Sequence, residues 1–132
     1  MPQISTYLMF QDGNAEEAMN FYVDVLGGEV ISVDHWGPDG PGEEGAAQLA
    51  IFTLCGSRFM CFNSPPVHQF GFTPSTSSFV DFDSEAELDS AYAALAEGGA
   101  PLMPLGDYGF SKKFGWVADR YGVSWQLNLP HS

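Results

Sequence analysis

The chain holds 132 residues, with 4 Lys+Arg against 17 Asp+Glu and a formal net charge of −13. That balance excludes a nucleic-acid grip resting on phosphate neutralisation, which needs clustered basic residues, and it disfavours anionic membrane surfaces. A content of 45% hydrophobic and 14% aromatic residues is rich enough to build a core, so acidic disorder is excluded too and a single globular domain is expected over residues 1–132.

Residues 4–12 read as a strand. Asn14 stands as an N-cap with Glu17 three residues on, and Ala18, Phe21, Val25 and Leu26 follow at helical spacing before Gly27-Gly28 stops the helix. A strand over 29–34 comes next, then a Gly/Pro/acid-rich loop over 36–45 that carries no structural signal. Strands near 46–55 and 58–63 meet at Gly56-Ser57, a turn in which glycine first suits type II′. The same order then repeats. Residues 77–83 read as a strand and Ser84 caps a helix with Glu87 at its third position. Leu88, Ala91, Tyr92 and Leu95 form the apolar stripe, and Gly98-Gly99 ends it. A strand near 101–105, a glycine-rich loop over 106–109 and a closing hairpin over 116–129 that turns at Tyr121-Gly122 complete the second copy. Two βαβββ modules result, 1–63 and 77–129, with a linker over 64–76.

Cys55 and Cys61 flank the first hairpin turn. Pairing across Gly56-Ser57 sets Cys61 against Phe52 and away from Cys55, so no disulfide is expected and both thiols read as small buried hydrophobes. No run nears the roughly 18 apolar residues of a membrane span, and residues 1–4 lack a basic, then apolar, leader pattern. A cytoplasmic protein is the expectation.

The tandem βαβββ plan resembles the vicinal oxygen chelate superfamily, which includes glyoxalase I, bleomycin-resistance proteins and extradiol dioxygenases. Tyr7-Leu-Met-Phe10, Ala15-Glu-Glu-Ala18, Phe21-Tyr22, the stretch 98–106 and the stretch 114–126 are similar to its PhnB-like branch. The resemblance covers nearly the whole chain except 36–45. It implies an α+β fold in which each module's curved mixed sheet wraps a cavity with its helix outside, and it implies a homodimer.

Given that plan, strand alternation assigns faces. Tyr7, Met9, Met60, Phe62 and Phe79 become apolar walls of a ligand pocket, with Arg58, Ser77, Asp81, Ser124, Gln126 and Asn128 as orienting groups. The resemblance places the superfamily's metal ligands at Tyr7, Met60, Ser77 and Gln126. None supplies the nitrogen or carboxylate that a divalent ion favours, so no cofactor is expected and a divalent metal is disfavoured. His35, His68 and His131 show no metal spacing and read as surface residues. Asp81, among Phe79 and Met60, is the candidate general base, weighed against a carboxylate bound to the sheet or to Arg58. Lys112-Lys113 are placed at a pocket mouth or on a solvated face. Tyr108 and Phe110 form an aromatic lid or pack on a neighbouring module. Asp119 is a turn-former and Gly122 a positive-φ residue.

The leading expectation is a metal-free protein that binds a small molecule. The alternative is an enzyme of lyase, isomerase or dioxygenase type, using a divalent metal or an Asp81 base. The ubiquinone-pathway methyltransferase label attached to the PhnB-like branch is set aside, because no strand runs into a GxGxxG-type loop.

Overall fold

The computed structural model describes residues 1–131, which group into two compact units, the first ending at Gly71 and the second starting at Phe72. The boundary falls inside the segment read as a linker. Residues 64–70 belong with unit 1: Ser64 N–H donates to Phe10 O, while Gln11 accepts from His68 N and donates to Phe70 O.

Unit 1 runs β1 (Thr6–Phe10), α1 (Ala15–Leu26), β2 (Gly28–His35), β3 (Ala47–Leu54) and β4 (Ser57–Asn63). The four strands form one mixed sheet in the order β1-β4-β3-β2, with β1 parallel to β4. Unit 2 repeats this with β5 (Ser78–Asp81), α2 (Glu85–Ala96), β6 (Ala100–Gly106), β7 (Lys113–Ala118) and β8 (Ser124–Leu129), ordered β5-β8-β7-β6 with β5 parallel to β8. The fold is therefore α+β, two βαβββ modules, as the repeat and the resemblance imply. No helix among the described residues is long and apolar enough to cross a membrane.

Each helix covers one face of its own sheet. On α2 the buried residues are Leu88, Ala91, Tyr92 and Leu95, the expected stripe. On α1 they are Ala15, Ala18, Met19 and Tyr22, while Phe21 is only half-buried. The face is rotated from the expected one because the spacing of three, four and seven from Ala15 brings two alanines against the sheet and lets it approach closely. Phe52, Leu54, Phe59 and Cys61 receive α1; Val117, Trp125 and Leu127 receive α2.

The two Gly-Gly pairs divide one task in the same way. Gly27 and Gly98 take φ of +84° and +74°, turning the chain out of the helix. Gly28 and Gly99 lie against neighbouring strands, and an added Cβ would stand 1.8 Å from Thr53 O and 2.3 Å from Ala118 O.

The first hairpin corrects the sequence reading by two residues. Leu54 pairs with Ser57 and Ala50 with Cys61, so the loop is Cys55-Gly56, with φ of 52° and 82°. Positive φ at both positions is the type I′ pattern, which puts the glycine second. Cys61 consequently opposes Ala50 rather than Phe52, and Cys55 is exposed instead of buried. The thiols are free, as expected. The 36–45 loop is also more ordered than its composition implies. Trp36 exchanges backbone hydrogen bonds with Gly45 and Ala46, Gly40 and Gly42 lie on its indole, and its Nε1 donates to Asn63 O.

The closing hairpin turns on Asp119, which is buried. Its Oδ1 accepts from Tyr121 N at 2.8 Å and Val123 N at 3.1 Å, and its Oδ2 accepts from Trp125 Nε1 at 2.8 Å. Gly122 takes φ of +89° in that turn.

Candidate functional site

The helices cover one face of each sheet, and chemistry is left to the other. In unit 1 the open face is set by β1 and β4, where Tyr7 pairs in register with Met60 and Met9 with Phe62. Tyr7 is 56% exposed, and its ring stacks on Phe62 with centroids 5.1 Å apart. Partial burial, with Cys61 adding to it, holds the Tyr7 hydroxyl above its ordinary pKa. Arg58 is half-buried and its guanidinium donates to Gln3 Oε1.

In unit 2 the open face carries more. Phe114 pairs with Asn128 and Trp116 with Gln126 across β7 and β8, while Phe79 and Asp81 on β5 pair with Gln126 and Asn128. Polar side chains there form a connected set. Trp116 Nε1 donates to Ser124 Oγ at 2.9 Å, the Ser124 and Ser77 hydroxyls meet at 2.6 Å, and Gln126 Nε2 donates to Ser77 Oγ at 3.3 Å. Asn128 Nδ2 donates to Asp81 Oδ1 at 2.9 Å. Beside this network lies an aromatic group: Phe79 stacks on Phe114 at 6.1 Å, Phe110 meets Phe114 edge-on at 5.0 Å, and Tyr108 stacks on Phe110 at 6.4 Å. Phe114 is buried, whereas Phe79 and Phe110 are 55% and 60% exposed.

The sequence-derived residues thus fall into two sets, each on its own unit: Tyr7, Met9, Arg58, Met60 and Phe62 on the first, and Ser77, Phe79, Asp81, Ser124, Gln126 and Asn128 on the second. Asp81 is bound by Asn128 of the sheet, one of the alternatives weighed for it, whereas Arg58 is engaged with Gln3. Two details differ from expectation. Phe79, not Ser77, stands opposite Gln126 as Tyr7 stands opposite Met60, because β5 joins α2 by a shorter connection than β1 joins α1. Lys113 lies on the helix side, 2.7 Å from Asp89 and 3.1 Å from Glu85, so it is not at a pocket mouth. Those two hydrogen bonds raise its ammonium pKa, Asp89 more than Glu85. Tyr108 and Phe110 pack within their own unit. Trp116 and Phe114 were missed, although their two-residue spacing on a strand that pairs with β8 is a usable signal.

The positions the resemblance assigns to metal ligands offer a phenol at Tyr7, a thioether at Met60, an amide at Gln126 and, on the β5 side, either the Phe79 ring in register or the Ser77 hydroxyl, which is bonded to Gln126. This donor set does not fit a divalent ion. No group of three or more His, Cys, Asp or Glu side chains suited to a metal occurs among the described residues. Of the histidines, His35 lies 2.8 Å from Glu16 and His68 stacks on Phe70 at 5.0 Å. Unit 1 also holds a hollow of about 260 Å³ between the β1–α1 turn and the 36–46 loop, rimmed by Asp12 and Glu43, that the sequence did not disclose.

The family described as 3-demethylubiquinone-9 3-methyltransferase matches residues 2–128. The PhnB protein of Bacillus cereus is similar at 51% identity and a TM-score of 0.92, over 97% of this chain and 99% of that one. A Pseudomonas aeruginosa protein matches at 31% identity and 0.85 over the full length of both. A glyoxylase/bleomycin resistance protein/dioxygenase domain from Frankia, 15% identical with a TM-score of 0.68 over 99% of each chain, shares the fold. No curated protein matches.

Proposed function

This chain belongs to the family described as 3-demethylubiquinone-9 3-methyltransferase, the PhnB-like family of the glyoxalase/bleomycin resistance/dioxygenase superfamily, and from that premise we propose that it binds a small organic molecule without a metal. The observation that carries the reading is the open face of unit 2. Exposed Phe79 and Phe110 stand clear of the core beside a set of fixed polar groups, Ser77, Asp81, Gln126 and Asn128. Exposed aromatic surface next to convergent polar side chains is the composition of a ligand site, whereas a face meant only for solvent has no use for it. The Tyr7–Phe62 stack on unit 1 has the same character.

A screen of small aromatic compounds by thermal shift tests the reading, since a ligand specific for the native state raises apparent stability. Phe79→Ala is expected to remove the shift from every hit while leaving the unliganded melting temperature within a few degrees. Hits unaffected by Phe79→Ala and by Tyr7→Ala sink the proposal.

A second reading keeps acid–base chemistry. Asp81 is exposed, one of its oxygens is oriented by Asn128, and the other has no hydrogen-bond partner among the described residues, which is the arrangement of an available base. Under it, Asp81→Asn retains binding and abolishes turnover. Methyl transfer ranks lower: the strand-to-helix turns 11–14 and 82–84 hold a single glycine between them and offer no cradle for a nucleotide-like cofactor.

A further inference from the structure

Resting on that reading, we infer that the unit 2 face selects an aromatic ligand that is a cation and a hydrogen-bond donor, and that Asp81 is the specificity-determining residue. The inference comes from what the face has left to offer. Among its polar groups the serine hydroxyls, the Trp116 indole and the Gln126 amide already engage one another. Asn128 is 7% exposed and spends its amide N–H on Asp81 Oδ1, while its own Oδ1 is buried without a partner. Asp81 keeps Oδ2 uncommitted. Beside Asp81 the face therefore offers an uncommitted carboxylate oxygen whose orientation is set by a buried amide.

Charge points the same way. Of the basic side chains of unit 2, Lys113 is held by Glu85 and Asp89 on the helix side, Arg120 lies 4.0 Å from Glu97, and exposed Lys112 forms no ion pair among the described residues. None of the three is within ion-pair distance of Asp81. The rings beside it, Phe79 stacked on Phe114 with Phe110 edge-on, present π faces that attract a flat cation and add nothing for an anion. A protonated aromatic amine satisfies all three: its ring stacks, its N–H meets the carboxylate, and its charge is balanced.

Three tricyclic probes of matched shape separate the possibilities: 9-aminoacridine as the cation and donor, anthracene-9-methanol as the neutral compound, and anthracene-9-carboxylate as the anion. Affinities are measured by fluorescence at 0.15 M salt, where the general field of a −13 chain is screened beyond about 8 Å. We expect 9-aminoacridine to bind at least tenfold tighter than the other two. Asp81→Asn keeps the oxygen that Asn128 bonds and replaces the free one with a donor, so it should erase that preference. Asp24→Asn, on α1, should leave it intact.

Equal binding of the three probes, all lost in Phe79→Ala, overturns the charge assignment and leaves the binding site standing. A preference reduced equally by Asp24→Asn and Asp81→Asn also overturns it, assigning the effect to net charge. Binding of no probe, or binding indifferent to Phe79→Ala, removes both this inference and the site it rests on. The comparison of probes on the unaltered protein needs no variant to fold.

Discussion

Asp119 is the residue whose loss the structure converts most directly into a number. Its carboxylate accepts two backbone N–H groups of its own turn and the indole N–H of Trp125, a side chain only 1% exposed. In Asp119→Ala, water can reach part of the turn but not the indole. The buried unsatisfied indole costs about 1–3 kcal/mol and the two turn bonds about 1 kcal/mol each, so the total is about 3–5 kcal/mol, a large share of the 5–15 kcal/mol typical of a domain. Asp119→Asn is the sharper test. It can keep Oδ1 for Tyr121 and Val123 while turning an NH₂ toward the Trp125 N–H, donor against donor, for a loss of about 1–3 kcal/mol. Urea unfolding followed by far-UV circular dichroism measures both. In a Trp125→Phe background the donor is gone, and Asp119→Asn should then cost at least 1 kcal/mol less, which the double-mutant cycle reads directly. If Asp119→Asn costs the same with and without the indole, or less than about 0.5 kcal/mol in the unaltered protein, the buried bond is not what anchors this hairpin.

Three further outcomes are open to simple measurement. Gly115→Ala places a Cβ 2.6 Å from the Tyr92 ring and 2.9 Å from Leu105, and Tyr92 is pinned by its hydroxyl bond to Met103 O; overpacking there should lower stability by about 1–3 kcal/mol in urea. Asn63→Ala removes the acceptor for the buried Ala15 N–H at the start of α1 and should cost about 1–2 kcal/mol, whereas truncating Asn14 should cost little, since its side chain makes no capping bond. Burial, helped by Glu16, pushes the Cys61 thiol up to about 12, so a disulfide reagent at pH 8 should label Cys55 alone until denaturant is added. Because that pKa is raised on folding, the associated stability is complete below the ordinary thiol value of 9.0 and drains away as pH climbs toward 12; rapid native labelling of both thiols would refute the buried assignment.

What the sequence disclosed and what it hid have physical reasons. The second helix was legible from cap to stop because its signals are local: Ser84 accepts from Glu87 N–H within one turn, and Gly98 reverses the chain. The first helix was legible in extent and misread in detail. Asn14 occupies the cap position, but the bond comes from Asn63, which no local pattern could announce. The hairpin register slipped by two because Cys55 adopts left-handed φ, a conformation whose usual sequence mark is Asn, Asp or Gly. Period-two alternation assigned the open faces well, since a strand has only two faces. It could not show that Asp81 finds Asn128, nor that Lys113 folds back onto α2, because both depend on side chains meeting across elements.

The origin of the α1 cap bears on the order in which the chain assembles. A helix start is the expensive step of helix formation, and a local cap lowers that barrier as soon as the turn exists. Ser84 does this for α2 from inside its own sequence. For α1 the corresponding acceptor is Asn63, 48 residues downstream, on the strand that also pairs with β1. Closing so long a loop precedes the reward. During synthesis, then, α1 emerges without its stabilising partner and is completed only when β4 arrives, so unit 1 consolidates as a whole at its C-terminal strand, while the helix of unit 2 can form early and wait for its sheet.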